Sequence, residues 1–125
     1  MYRVAVRRSF IALHYLTGAD AGAENRLHAH HYLMELILEG ERLDESGYLA
    51  DIAELDELLQ GFLDRVANAT LNELADFQGL NPSLEHFARI AANWLNKEIT
   101  ATHATGLTIV LWEDDSAWAS YRVPR

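Results

Sequence analysis

Two long runs of alternating residues constrain this chain more than any other feature. From Tyr2 to His14 apolar or small residues alternate with charged and polar ones, and Leu27 to Glu39 repeats the pattern with Tyr32, Met34, Leu36 and Leu38 on one side. A period of two is the mark of strands that bury one face. The intervening Tyr15 to Arg26 is rich in Gly, Ala, Asp and Asn. The two strands therefore read as a hairpin whose connection is too long for a passive turn and fits a functional loop. Gly40 to Tyr48 forms a second polar connection.

The period then changes. Asp51 and Glu54 have the spacing of a capping box ahead of Ile52, Leu55, Leu58, Leu59, Phe62, Leu63 and Val66, a helical series with one buried face. A loop through Asn72 to Pro82 follows. Pro82 forbids an earlier helix start, which makes Ser83 the natural N-cap of a second helix turning Leu84, Phe87, Ala88, Ala91, Trp94 and Leu95 inward. Leu107, Ile109, Leu111 and Glu113 then share one face of a strand, Glu113 to Ser116 turns, and Trp118 to Val123 returns. The order is ββααββ. This predicts one α+β domain over residues 1–125, an antiparallel sheet with both helices on one face. Its edge strands and second face would be covered most simply by oligomerisation.

Half of the 125 residues are hydrophobic, enough for a single core. Ten Lys and Arg against 19 Asp and Glu give a net charge of −9, which argues against nucleic acid or an anionic membrane as partner. There is no cysteine, so disulfides, thiolate ligands and a cysteine nucleophile are excluded, and a reducing cytoplasm is the expected location. The first residues, Met1 to Arg8, lack the apolar stretch of a signal peptide, and no segment has transmembrane length. Without a secretory route the Asn68-Ala69-Thr70 acceptor triplet has no consequence.

The strand pattern gives the histidines their meaning. His28 and His30 flank Ala29 and point to one face, and His14 ends the neighbouring strand in the row of Phe10 and Ala12. A buried imidazole there needs a partner or a metal. Three His ligands with one position open make the arrangement of a catalytic zinc, whereas a chance pair plus a core histidine is the alternative. His31 faces the other way and reads as structural, and His86 and His103 read as surface or capping residues. Glu24, four residues before His28, can be a metal ligand, a general base or a solvated loop charge. Glu113 either anchors a ligand through N–H donors or already stands in water beyond the strand.

Phe10-x-Ala12-x-His14, Leu27-His28-Ala29-His30-His31-Tyr32, Gly47-Tyr48-Leu49-Ala50-Asp51, Leu71-Asn72, Asn81-Pro82-Ser83-Leu84-Glu85 and Glu113 together resemble the 6-pyruvoyl-tetrahydropterin synthase family, which includes the 6-carboxy-tetrahydropterin synthases. The resemblance covers nearly the whole chain. It implies a T-fold in which ββααββ subunits close a trimeric barrel and two trimers stack as a homohexamer. It also implies zinc on His14, His28 and His30, Glu113 gripping a pterin ring, and Ser83 near the pterin from a neighbouring subunit. Family enzymes carry a cysteine where this chain has Glu24, an Asp-His pair where it has Ala67 and Asn68, and a glycine where it has Ala29. A similar cysteine-to-glutamate exchange marks a branch that cleaves the side chain of dihydroneopterin triphosphate to 6-hydroxymethyl-dihydropterin. The resemblance thus implies a zinc-dependent pterin lyase with Glu24 as base. The alternatives are a 6-carboxy-tetrahydropterin synthase and a catalytically silent pterin- or purine-binding protein.

Overall fold

A computed structural model describes residues 1–18 and 22–125; residues 19–21 of the long first connection are outside the described residues. The alternating runs form β1 (Tyr2–His14) and β2 (His28–Gly40), the helical series forms α1 (Ile52–Val66) and α2 (Leu84–Glu98), and β3 (Gly106–Trp112) and β4 (Trp118–Pro124) close the chain. The sheet runs β1-β2-β3-β4 with every neighbouring pair antiparallel. Both helices pack on one face, α1 on β1 and α2 on β3 and β4. The predicted α+β ββααββ architecture is the observed one.

The core lies between that face and the helices. Even-numbered residues of β2 from Tyr32 to Leu38 are fully buried, as are Leu107, Ile109 and Leu111 of β3, against Leu55, Leu59, Phe62, Phe87, Ala91 and Leu95. The opposite face carries no helix. Ile11, His31 and Trp118 are exposed there. One close approach demands glycine, because a Cβ on Gly40 would stand 2.5 Å from the His103 carbonyl oxygen.

Local signals are realised with two corrections. Asp51 caps α1, its carboxylate accepting from the Ala53 N–H, but Glu54 does not complete a capping box and instead accepts from the Thr100 hydroxyl at 3.0 Å. Ile52, counted in the buried series, is 55% exposed at the first helical position. Leu58, Leu84 and Trp94 are half-buried. The Asn72–Pro82 loop holds short 3₁₀ turns, one beginning just before it at Leu71–Glu73 and the other at Ala75–Phe77. Their Phe77 buries against Phe87 with ring centroids 5.4 Å apart. Phe87 in turn meets Phe10 and Tyr32, which gives the end of the sheet near the histidines an aromatic floor.

Candidate metal centre

The register of the first hairpin brings the histidines together. His14 is the last residue of β1 and pairs directly with His28, the first of β2, while His30 pairs with Ala12. All three side chains leave the sheet on the helix side. Their ring centroids form a triangle of 4.6, 4.9 and 5.1 Å, and one nitrogen from each lies within 4.8 Å of the others. His14 is 6% exposed and the other two are half-buried.

Hydrogen bonding fixes how two of these rings present themselves. His14 Nδ1 lies 3.0 Å from the Pro82 carbonyl and His28 Nδ1 lies 2.7 Å from the Arg26 carbonyl. A carbonyl oxygen only accepts, so each Nδ1 carries a proton, and the tautomer this selects turns its Nε2 lone pair inward. These two Nε2 atoms stand 3.0 Å apart. Two lone pairs at that distance repel unless a cation lies between them. Ligands about 2.0–2.1 Å from one tetrahedral ion stand roughly 3.3 Å apart, close to the spacing found. An imidazole whose far N–H is held by a carbonyl is oriented as metal-ligating histidines usually are. The residues present fit a divalent ion.

Burial pushes the His14 pKa down, with His28 and His30 acting in the same direction and the Pro82 carbonyl and Glu24 opposing. Its ring is thus neutral and its lone pair available at neutral pH. Tyr32, beneath His30 at a centroid distance of 5.6 Å, has its phenol pKa pushed up by burial and then by the Glu113 charge, so it remains a protonated phenol.

A cleft of about 160 Å³ opens beside the cluster, lined by His14, Leu16, Glu24, His30, Asn81, Ser83, Leu84, Glu85 and Glu113. Every site residue expected from the sequence except His28 lines it, and His28 completes the cluster behind. Glu24 sits in a single 3₁₀ turn, Gly22–Asn25. Ser83 caps α2, its hydroxyl accepting from the His86 N–H at 3.1 Å, and although the resemblance implied a role toward a neighbouring subunit's pterin, the residue borders the cleft of its own chain. Glu113 lies one residue beyond β3 with its side chain 30% exposed and Oε1 3.6 Å from His30 Nε2. It is neither in the strand nor in open water, and among the described residues no hydrogen bond reaches its carboxylate. Sequence pattern gave no sign of Asn81, Glu85 and Leu16 as wall residues. No lysine or arginine lines the cleft among the described residues, and Glu24, Glu85 and Glu113 make it a cation-attracting wall.

The remaining histidines lie outside the cluster. His31 faces the uncovered side, and His86 Nδ1 donates to the Asn81 carbonyl at 2.7 Å in a capping role. His103 lies in the loop before β3, outside the cluster. Ala67 and Asn68 are occupied structurally. Asn68 adopts φ 61°, and its N–H and the Ala69 carbonyl bond to Ile11 and Leu13, sealing the end of the β1 edge beside His14. A larger hollow of about 410 Å³ is lined by Asp44, Tyr48, Ala50, Asp51 and Ile52, but Asp44 closes its own turn and Asp51 caps α1.

Residues 3–124 match the profile of the 6-pyruvoyl tetrahydropterin synthase family. The chain belongs to that family. Among characterised members, the 6-carboxy-5,6,7,8-tetrahydropterin synthase of Bacillus subtilis is 35% identical over 66 residues, spanning 53% of this chain and 43% of that enzyme, less than half its length. The dihydroneopterin monophosphate aldolase of Pyrococcus furiosus is 28% identical over 97 residues, 78% of this chain and 74% of that protein. The fold matches a Plasmodium vivax 6-pyruvoyltetrahydropterin synthase variant with TM-score 0.84 at 17% identity, covering 99% of this chain and 98% of that one. It matches the Caenorhabditis elegans enzyme with TM-score 0.80 at 25% identity, covering 98% and 97%. The sheet-and-helix layout is therefore the T-fold of the family. No helix among the described residues is long and apolar enough to cross a membrane.

Proposed function

We propose that this chain is a zinc-dependent pterin lyase of the glutamate type, acting on the side chain of dihydroneopterin or its triphosphate to give 6-hydroxymethyl-dihydropterin. The observation that carries the reading is that Glu24 lines the same cleft as His14, His30 and Glu113, in a chain without cysteine. Two comparisons support it. One relative is named an aldolase of a dihydroneopterin phosphate, and the Plasmodium vivax structure is of a glutamate-to-alanine variant described as a catalytic residue mutant.

His14, His28 and His30 would hold the zinc, which supplies Lewis-acid polarisation of the side-chain oxygens when bound. The Glu113 carboxylate, free of protein hydrogen bonds among the described residues, would accept N–H groups of the pterin ring, and Ser83 would border the pterin from the start of α2. Glu24 takes the proton from the second side-chain hydroxyl. The carbon bearing that hydroxyl becomes a carbonyl as its bond to the first side-chain carbon breaks. That bonding pair enters the dihydropterin ring, and protonation at the first carbon completes hydroxymethyl-dihydropterin, with glycolaldehyde or its phosphorylated form as the other product.

Residues 1–125 would act as one domain, assembled as a homohexamer of two trimers. The uncovered sheet face, with exposed Ile11 and Trp118, and the outer edges of β1 and β4 support assembly. The cysteine-free composition suits the cytoplasm. Incubation of the zinc-loaded protein with dihydroneopterin and its triphosphate, with products identified by mass spectrometry, is the test. Hydroxymethyl-dihydropterin from the wild type and much slower, residual formation by Glu24→Gln are expected; no turnover by either protein sinks the reading. A 6-carboxy-tetrahydropterin product would favour the second reading, supported by the Bacillus subtilis relative. Tight pterin binding without turnover would favour a silent binding protein, a reading supported by the structural use of Ala67 and Asn68.

A further inference from the structure

Among the described residues, the loop that carries Glu24 toward the cleft is held by a few separate hydrogen bonds, most of them from side chains, and not by strand or helix pairing. Asn72 brackets Tyr15, the residue after His14, accepting from its N–H at 3.0 Å and donating to its carbonyl at 2.9 Å. The Leu16 N–H donates to the Glu24 carbonyl at 2.8 Å, and Asn25 Nδ2 returns a hydrogen bond to the Leu16 carbonyl at 2.7 Å. The Thr17 N–H donates to Asn81 Oδ1 at 2.9 Å, with its hydroxyl at 3.4 Å from the same atom. Thus the 3₁₀ turn bearing Glu24 is tied to Leu16, and Leu16 lies between two residues pinned by Asn72 and Asn81. Both anchors come from the segment between the helices. The Asn81 carbonyl is itself held by the His86 ring and the Ser83 N–H.

We infer that Asn72 and Asn81 are positioning residues, a two-point clamp that fixes the Glu24 carboxylate beside the histidine cluster. The inference rests on the role proposed for Glu24. Its reason is geometric: an exposed carboxylate on one 3₁₀ turn has no core packing to aim it, since no residue of that turn is buried. A general base must sit within hydrogen-bond reach of its proton, and misplacement by about 1 Å costs up to roughly a hundredfold in rate. The two clamps differ chemically. Among the described residues Asn81 holds the loop through Oδ1, an acceptor that Asp also supplies. Asn72 uses both its oxygen and its nitrogen, so Asp at that position loses the donor and sets a carboxylate against the Tyr15 carbonyl.

The test compares zinc-loaded wild type with Asn72→Ala, Asn72→Asp, Asn81→Ala and Asn81→Asp, using dihydroneopterin. Zinc content is expected to stay at the wild-type level in all four. Both alanine variants and Asn72→Asp should lose about tenfold to a hundredfold in kcat with KM within about twofold, while Asn81→Asp stays within about threefold of wild type. In a Glu24→Gln background, Asn72→Ala should cost no more than about twofold further, because the group it aims is already gone. Equal losses with and without Glu24, or unchanged kcat, overturn the clamp. A second readout needs no turnover: trypsin cutting after Arg26, an exposed residue of this loop, should quicken in both alanine variants and return to the wild-type rate in Asn81→Asp. If the wild type turns over no pterin, the lyase reading fails on its own, and the tryptic rates alone decide the clamp; rates unchanged in the alanine variants overturn it.

Discussion

At the scale of single residues, the histidine cluster follows from strand period and little else. His28 and His30 had to share a face because they stand two positions apart, and the face had to be the inner one because Tyr32 to Leu38 continue it. The proton positions were not legible, since they depend on the Pro82 and Arg26 carbonyls that only the folded chain supplies. Asn81 and Glu85 were missed for the same reason: a loop residue joins a cleft through where the loop lands, and sequence period carries no such signal. Metal removal should therefore be felt locally. Prolonged chelation is expected to leave the His14 and His28 Nε2 atoms 3.0 Å apart without a shared cation, and thermal unfolding should shift to lower temperature. Restoring zinc should reverse the shift, and His28→Ala should show neither zinc uptake nor the reversal, as metal analysis and calorimetry will record.

At the scale of elements, the start of α2 is the most vulnerable to a single change. Ser83→Ala removes the acceptor for the His86 N–H and should cost about 1 kcal/mol in urea unfolding, with Ser83→Asp recovering most of it. The α1 start shows where pattern reading stops. Asp51 was legible as a cap, but Glu54 was claimed by Thr100 and Ile52 turned outward, because a helix's first turn is oriented by the tertiary contacts of the turns after it. A different tie docks α1 on β1, the Arg8–Asp56 pair with both groups partly exposed. The hydrogen bond and charge of Arg8 hold the Asp56 carboxyl below its usual 3.8. The pair's contribution is thus complete above that pH and is lost as pH falls through the lower folded value. Urea midpoints of wild type and Asp56→Asn should differ slightly at pH 6 and converge toward pH 2, with the difference larger at low salt.

For the whole molecule, stability rests on one layer of side chains between sheet and helices. Leu36 is fully buried in that layer, so Leu36→Ala should cost about 2–5 kcal/mol in a denaturant titration while a surface change such as Glu57→Ala stays near neutral. The layer order was readable because the switch from period two to period 3.6 and back is unbroken along the chain. The uncovered face was readable only as a remainder, since what covers it is not written in one subunit's periodicity. The register of β1 on β2 also bears on how the hairpin forms. Thirteen successive pairs run from Tyr2–Gly40 to His14–His28, and a slip of one residue would turn every side chain of one strand to the other face. A slip of two would keep the faces but move His14 away from its partner. An ion captured by His14, His28 and His30 would work as proofreading: of all the ways this hairpin can zip, it would reward the one in which the far end has also been aligned correctly.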